Sequence, residues 1–142
     1  MSVGDFDTAV ETFRQSLSAM ANGDAGPVLR LISEHDDVTL ANPLGPPAKG
    51  SAQVRRATQA AASNFTGGTV RIDEIARYAT PDLGYVVEVE RFEVRTVDSA
   101  DVARISLRVT LIFRREEEAW KVVHRHADPM TAPRAASAIA DT

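Results

Sequence analysis

The 142-residue chain contains no cysteine, which excludes disulfide bonds, thiolate metal ligands and a cysteine nucleophile. It also lacks an excess of basic residues, because its formal net charge is −4, so we expect no nucleic-acid partner. No apolar run approaches the roughly 20 residues that span a bilayer. The N-terminal residues lack the charged-then-apolar order of a signal peptide. These absences favour a cytoplasmic protein without a membrane partner.

The residues that are present are typical of one folded domain. Hydrophobic residues make up 44% of the chain and charged residues 25%, which is an ordinary globular balance with enough apolar side chains for a core. We expect a single domain over residues 1–130. A tail over residues 131–142 should follow, because its small and polar side chains have little to bury.

The spacing of apolar residues predicts three helices and then a series of strands. A first helix carries a stripe at spacings of three and four, a short second helix follows Gly23, and a third runs from Gly50 to about Asn64. One brief strand starts at Val38, and four long strands lie between residues 67 and 128, with a bulge predicted near residues 73–74. This order predicts an α+β fold with three N-terminal helices packed on one side of a curved, mainly antiparallel sheet.

The last hairpin decides which side chains of the final strand face the helices. The preceding strand has an unbroken apolar row that must face inward, comprising Ala103, Ile105, Leu107, Val109, Leu111 and Phe113. A three-residue loop at residues 116–118 places Val123, Arg125 and Ala127 on the same inner face. The outer face then carries Trp120, Val122, His124 and His126. A two-residue loop exchanges the two sets.

A mixed set of side chains is assigned to the outer face of the sheet. It comprises Glu88, Glu90, Arg108, His124 and His126. Charges paired across an antiparallel sheet suit a wet but specific contact between two copies of a chain. We therefore expect a homodimer through this face.

Two short stretches resemble the nuclear transport factor 2-like superfamily, which includes SnoaL-like polyketide cyclases, ketosteroid isomerases and the association domain of calcium/calmodulin-dependent kinase. The run from Asp36 to Gly45, with its acidic pair, threonine and proline-glycine ending, is similar to the isomerases. The ending Trp120-x-x-x-His124-x-His126 is similar to the kinase association domain. The resemblance implies a cone of helices and sheet that encloses a pocket, with a dimer on the outer sheet face. It also favours the three-residue hairpin.

The catalytic groups that this resemblance implies do not match the chain. The position of the isomerase general base corresponds to Asn42, whose amide cannot take a proton at neutral pH. The tyrosine of its first helix falls near Ser16, and its protonated aspartate falls near Val109 or Thr110. The inward arginines of the kinase association domain fall on Val87, Leu111 and Ala127. The resemblance therefore favours ligand binding without the isomerase reaction.

Four polar residues are predicted to bind a small, largely apolar organic ligand in the pocket. They are Asn42, Tyr85, Arg91 and Arg125. A buried guanidinium needs a carboxylate of the protein or an anion of the ligand as its partner. The alternatives are that Asn42 only forms a turn and that the two arginines lie at the rim, with their stems over apolar side chains.

His124, His126 and Asp128 offer a second interpretation. They could supply acid–base chemistry to an isomerase, hydrolase or cyclase if the even-numbered row of the last strand faced the pocket. The two histidines could also bind a metal with Glu90 or Asp128 as third ligand. We favour interface or structural histidines and predict neither a metal nor a cofactor. A third interpretation is a homo-oligomerisation module.

Overall fold

The computed structural model describes residues 3–129 and 132–141 of the chain, and the side chains of residues 3 and 4 are outside that description. Its helices are α1 (Val3–Ala21), α2 (Gly26–Leu29) and α3 (Ser51–Ala62), and a 3-10 turn lies near the end at Ala136–Ile139. Its strands are β1 (Thr39–Ala41), β2 (Ala48–Lys49), β3 (Phe65–Ala79), β4 (Leu83–Thr96), β5 (Ser99–Glu116) and β6 (Ala119–Pro129).

The strands form one six-stranded sheet in the order β2-β1-β6-β5-β4-β3. All neighbouring strands are antiparallel except β1 and β6, which are parallel. The long strands β3 to β6 follow one another through short turns, so each pairs with the strand that precedes it in the chain. The three helices pack on this mixed sheet and form the cone-shaped α+β fold that the sequence predicts.

The core lies between α1 and the inner face of the sheet. The predicted apolar row of β5 is inward, and Leu111 and Phe113 are fully buried. The ring of Phe6 on α1 makes edge-to-face contacts with Phe113 at 5.4 Å and with Trp120 at 5.2 Å between centroids. Gly84 on β4 allows this packing, since a Cβ there would lie 2.5 Å from the Phe6 ring.

The β5–β6 hairpin differs from the predicted one. Glu116 pairs with Ala119, so the turn has two residues and not three, and Glu117 adopts a positive φ of 56°. Further along, Phe113 pairs with Val122 whereas Ile112 pairs with His124. Val123 is thus an extra residue in β6, a β-bulge that reverses the parity of the strand beyond it.

The bulge gives the two ends of β6 opposite parity. Before it, Trp120 and Val122 are buried on the inner face, so their predicted outer position was wrong. After it, Arg125 pairs with Leu111 and Ala127 with Val109, both members of the inner row. Arg125 and Ala127 therefore face inward as predicted, although the turn on which that prediction relied is absent.

A second bulge lies on β3, where the register shifts between Glu74 and Ala76. The sequence predicts it near residues 73–74, one residue away. Within the described residues, no helix is both long and apolar enough to cross a membrane. The predicted domain boundary at residues 130 and 131 lies outside the described residues.

Candidate functional site

A cavity of about 120 Å³ lies between the helices and the inner face of the sheet. Its walls come from α1, α3, β1, the loop after β1, and the inner rows of β4, β5 and β6. Most of its lining is aliphatic or aromatic, and the polar members are Thr39, Asn42, Thr58 and Arg125. The apolar lining includes Phe13, Leu17, Met20, Val54, Phe65, Phe92, Leu107, Val122 and Ala127.

A second depression of about 230 Å³ adjoins the cavity beside the proline-containing loop. Four residues line both spaces, namely Leu40, Asn42, Leu44 and Ala61. The prolines at positions 43, 46 and 47 prevent regular backbone pairing here, and residues 43–47 are exposed. This loop therefore forms the outer edge of the cavity rather than a strand that closes it.

Arg125 supplies the only charged side chain among the described residues that line the cavity. Its Nη1 and Nη2 donate hydrogen bonds of 2.8 and 2.7 Å to the two carboxylate oxygens of Glu90, which is fully buried. Burial acts to lower the pKa of Arg125, but the carboxylates of Glu90 and Glu88 outweigh it and raise that pKa. The guanidinium therefore stays charged and remains paired with Glu90.

A second buried ion pair lies next to the first. Glu88, two residues before Glu90 on the same face of β4, accepts hydrogen bonds from Arg14 Nε at 3.1 Å and Nη2 at 2.9 Å through Oε1. Its Oε2 is buried without a hydrogen-bond partner in the described structure. Burial, and then the neighbouring Glu90 carboxylate, raise the pKa of Glu88 to about 7, although Arg14 acts in the opposite direction.

The predicted outer position of Glu88 and Glu90 was therefore wrong. Both share the inner face of β4 with Val86 and Phe92, and both are buried. Carboxylates are stable there because an arginine faces each of them, Arg14 from α1 and Arg125 from β6. The sequence did contain an indication of this burial, because Glu88 and Glu90 alternate in step with the apolar residues Val86 and Phe92.

Arg14 is a residue of this cluster that the sequence analysis missed, whereas Glu90 was named there but placed on the outer face. Arg14 lies four residues after Val10 and three before Leu17, so it belongs to the inward side of the α1 stripe. That spacing was the available signal. The partner of Arg14 lies 74 residues away along the chain, and the partner of Arg125 lies 35 residues away. Such pairings depend on the tertiary fold and have no local pattern.

Asn42 is half-buried and lines the cavity. Its side-chain oxygen accepts a hydrogen bond of 2.9 Å from the backbone N–H of Leu44, which is the turn-forming arrangement considered as an alternative. Its amide nitrogen donates no hydrogen bond within the described part of the chain. Asn42 is therefore positioned by the turn and retains donors beside the cavity.

Tyr85 and Arg91 do not line the cavity, and their predicted inward position was wrong. Both have the parity of β4 opposite to Glu88 and Glu90. The Tyr85 ring is exposed and lies 6.2 Å from that of Tyr78 on β3. Arg91 Nε contacts Asp73 Oδ2 at 2.6 Å on the outer face.

The histidines of β6 lie on the outer side, away from the cavity lining. His124 Nδ1 is 2.7 Å from Thr39 Oγ1, and burial, together with the charge of His126, lowers the pKa of His124. His126 is 3.8 Å from Asp128, which accepts two hydrogen bonds from Arg108. The proposed acid–base role of His124, His126 and Asp128 in the pocket is therefore contradicted by their placement.

The geometry also contradicts the alternative of a metal bound by the two histidines with Glu90 or Asp128. Glu90 lies on the opposite face of the sheet from the two histidines, so it cannot share a ligand set with them. Within residues 3–129 and 132–141, no three histidine, aspartate or glutamate side chains are grouped as a metal site.

The chain has the cone-shaped fold of nuclear transport factor 2-like proteins, with a cavity between its helices and its sheet. Solved structures with this fold cover most of the chain at low sequence identity. A superfamily member from Salmonella enterica has a TM-score of 0.78 at 13% identity, covering 94% of each chain. A ketosteroid isomerase-like protein from Erwinia carotovora has a TM-score of 0.75 at 12% identity, covering 91% of this chain and 96% of its own.

A third structure, described as similar to the calcium/calmodulin-dependent protein kinase type II association domain, comes from Thiobacillus denitrificans. Its TM-score is 0.70 at 20% identity, with 88% of this chain and 94% of that chain covered. The chain belongs to the SnoaL-like domain family, whose sequence model matches residues 10–132. The resemblance seen in the sequence is thus confirmed. No curated protein is significantly similar to the chain.

Proposed function

We propose that this chain binds a small, largely apolar organic ligand in the cavity between its helices and its sheet. The observation that carries the proposal is an apolar cavity whose wall, in the described part of the chain, contains a single charged group, Arg125. Pockets for small organic molecules have this character, with mainly apolar walls and a few fixed polar groups that orient the ligand. The fold, shared with a ketosteroid isomerase-like protein, agrees with a small-molecule site.

The size of the cavity favours a ligand built around one ring. An apolar cavity of about 150 Å³ binds benzene in an engineered protein, and the present cavity is about 120 Å³. Ligand groups that extend beyond the ring would enter the depression beside the proline-containing loop. Arg125 and Asn42 would then donate hydrogen bonds to polar atoms of the ligand.

The residues at the positions of the isomerase catalytic groups do not favour the isomerase reaction. The residue at the position of the general base is Asn42, and an amide has no proton-accepting capacity near neutral pH. The protonated aspartate falls near Val109 or Thr110. Val109 faces inward and has no polar atom in its side chain, whereas Thr110 pairs with His126 and faces outward. These substitutions support binding without the isomerase mechanism.

A titration with acetophenone followed by two-dimensional NMR tests the proposal. We expect saturable shifts at residues that line the cavity and none on the outer face. Ala127→Leu would place three more carbons in the cavity and should weaken binding at least tenfold. Ala119→Leu, the same exchange at an exposed position of β6, is the matched control and should leave binding unchanged. The absence of saturable shifts for the wild type would contradict the proposal.

We also propose a homodimer through the outer face of the sheet. No helix covers this face among the described residues, and it exposes the aromatic rings of Tyr78 and Tyr85. Arg108, His124 and His126 remain on it, whereas Glu88 and Glu90 do not. A second copy of the chain is the occupant that fits, because paired charges such as Arg91 with Asp73 can face their equivalents across a two-fold axis.

Sedimentation at micromolar concentration tests this second proposal. The wild type should have twice the mass of one chain, and Tyr85→Glu should shift the equilibrium to the monomer. Ile139→Glu introduces the same charge at an exposed position in the 3-10 turn and should not change the mass. A monomeric wild type would contradict the homodimer.

A further inference from the structure

The charge of Arg125 is already compensated inside the protein. Glu90 approaches the guanidinium end-on, with one oxygen on Nη1 and the other on Nη2. Arg14 provides a separate partner for Glu88. The buried cluster thus contains two arginines and two carboxylates, and Arg14 also contacts two further carboxylates outside the cluster. No net positive charge remains for a ligand when both carboxylates are ionised.

The guanidinium nevertheless retains hydrogen-bond donors. It carries five N–H groups, and the two contacts with Glu90 use two of them. No other acceptor is bonded to Arg125 in the described part of the chain, and its side chain is 17% exposed and lines the cavity. Arg125 can therefore donate to a ligand atom without losing Glu90.

An anionic ligand would be disfavoured in this cavity. No second cation lines the cavity within the described residues. A carboxylate placed there would add a third negative group next to Glu88 and Glu90, with only two arginines to compensate all three. Burial of a charge without its own partner is unfavourable, whereas a neutral acceptor needs only a donor.

We infer that the cavity selects an uncharged ligand with a hydrogen-bond acceptor, and that Glu90 sets this selectivity by neutralising Arg125. The inference rests on the proposed ligand-binding function. The ligand class is an apolar ring system that carries a carbonyl, ether or hydroxyl oxygen. Glu90 acts through Arg125, so it is a specificity-determining residue that does not contact the ligand.

The test compares two probes of the same shape, acetophenone and benzoate, which differ by a methyl group in place of a charged oxygen. Dissociation constants are measured for the wild type near pH 8, about one unit above the pKa of Glu88. Acetophenone should bind at least tenfold more tightly than benzoate. Glu90→Gln removes the neutralising charge from Arg125 and should reverse the preference in favour of benzoate.

Glu93→Gln is the matched control, because Glu93 lies on the same strand with an exposed side chain. It should keep the wild-type preference. Equal or tighter binding of benzoate by the wild type overturns the inference while the proposed function stands. If neither probe binds in the cavity, the proposed function is contradicted together with the inference. The wild-type comparison decides the matter even if Glu90→Gln does not fold.

Discussion

Glu88 accepts two hydrogen bonds from Arg14 through one carboxylate oxygen, while its second oxygen is buried without a partner beside Glu90. A carboxylate in this position is stabilised by one arginine and opposed by burial and by a neighbouring negative charge. The balance favours the protonated form and raises the pKa of Glu88 to about 7. Folding and the ionisation of Glu88 are therefore linked.

The first prediction concerns the pH dependence of stability. The folded protein holds the pKa of Glu88 at about 7, against an ordinary value of 4.5. The stabilising effect of protonation is fully present below 4.5, and it is lost as the pH rises through 7. At about 1.4 kcal/mol per pKa unit, roughly 3 kcal/mol of unfolding free energy is lost over that range. Glu88→Gln has no titrating proton and should not show this loss.

Urea unfolding of both proteins between pH 4.5 and 8 measures the difference. The free energy of unfolding of Glu88→Gln minus that of the wild type should rise with pH and level off above about 7. Carboxylates distant from Glu88 titrate equally in both proteins and cancel. Glu93→Gln, at an exposed position, should follow the wild type. A pH-independent difference for Glu88→Gln would show that Glu88 is ionised throughout.

The second prediction concerns the pair Arg125 and Glu90. Arg125→Met removes the partner of a fully buried carboxylate, and such a change costs about 3–5 kcal/mol of unfolding free energy. Adding Glu90→Leu removes the unpaired charge. The double variant should therefore be more stable than Arg125→Met alone, which denaturant unfolding can measure. Additive losses would mean that the two side chains are not coupled in solution.

The third prediction concerns the contact between α1 and β4. The Cβ introduced by Gly84→Ala would lie 2.5 Å from the Phe6 ring, so the helix or the strand must shift. Overpacking of this kind costs about 1–3 kcal/mol. Gly67→Ala is the matched control on β3, where the nearest atom is 3.6 Å away. Thermal unfolding should show a lower Tm for Gly84→Ala only, and equal Tm values would contradict the packing described for Phe6.

The fourth prediction concerns the bulge in β6. Val123 is the extra residue of the bulge, so its deletion leaves Val122 paired with Phe113 and His124 with Ile112 in a regular ladder. Arg125 and Ala127 should then keep their inward positions, and we expect the deletion variant to retain the dispersed NMR spectrum of a folded protein. Deleting Thr110, which is paired with His126 in a regular part of β5, shifts one half of that strand to the opposite face and should abolish the dispersed spectrum. An unfolded Val123 deletion variant would contradict the assigned register.

Local patterns predicted most of the fold. The α1 stripe and the β5 row each repeat over several turns or residue pairs, and most members of each are buried as expected. The inward position of Arg125 was also predicted, but from a three-residue loop that the chain does not have. A two-residue turn and the Val123 bulge give the same parity. The sequence has no signal strong enough to distinguish a three-residue loop from a two-residue turn followed by a bulge.

The candidate site could be predicted only in part. Asn42 and Arg125 line the cavity, whereas Tyr85 and Arg91 lie on the other face. The error on β4 came from assigning Glu88 and Glu90 to the outer face, as part of a contact between two copies of the chain. Their burial depends on Arg14 and Arg125, which approach from α1 and β6 in the folded protein. Compensation between distant residues does not follow from residue type or spacing.

The central claim is that a small organic molecule occupies the cavity, and intermolecular NOEs test it most directly. In a complex of acetophenone with methyl-labelled protein, the ring protons should show NOEs to the methyl groups of Leu17, Leu107 and Ala127, which line the cavity. Methyl groups that face outward, such as those of Val87, should show none. NOEs to the outer face, or no NOEs to the three lining methyl groups at saturating ligand, would contradict the account.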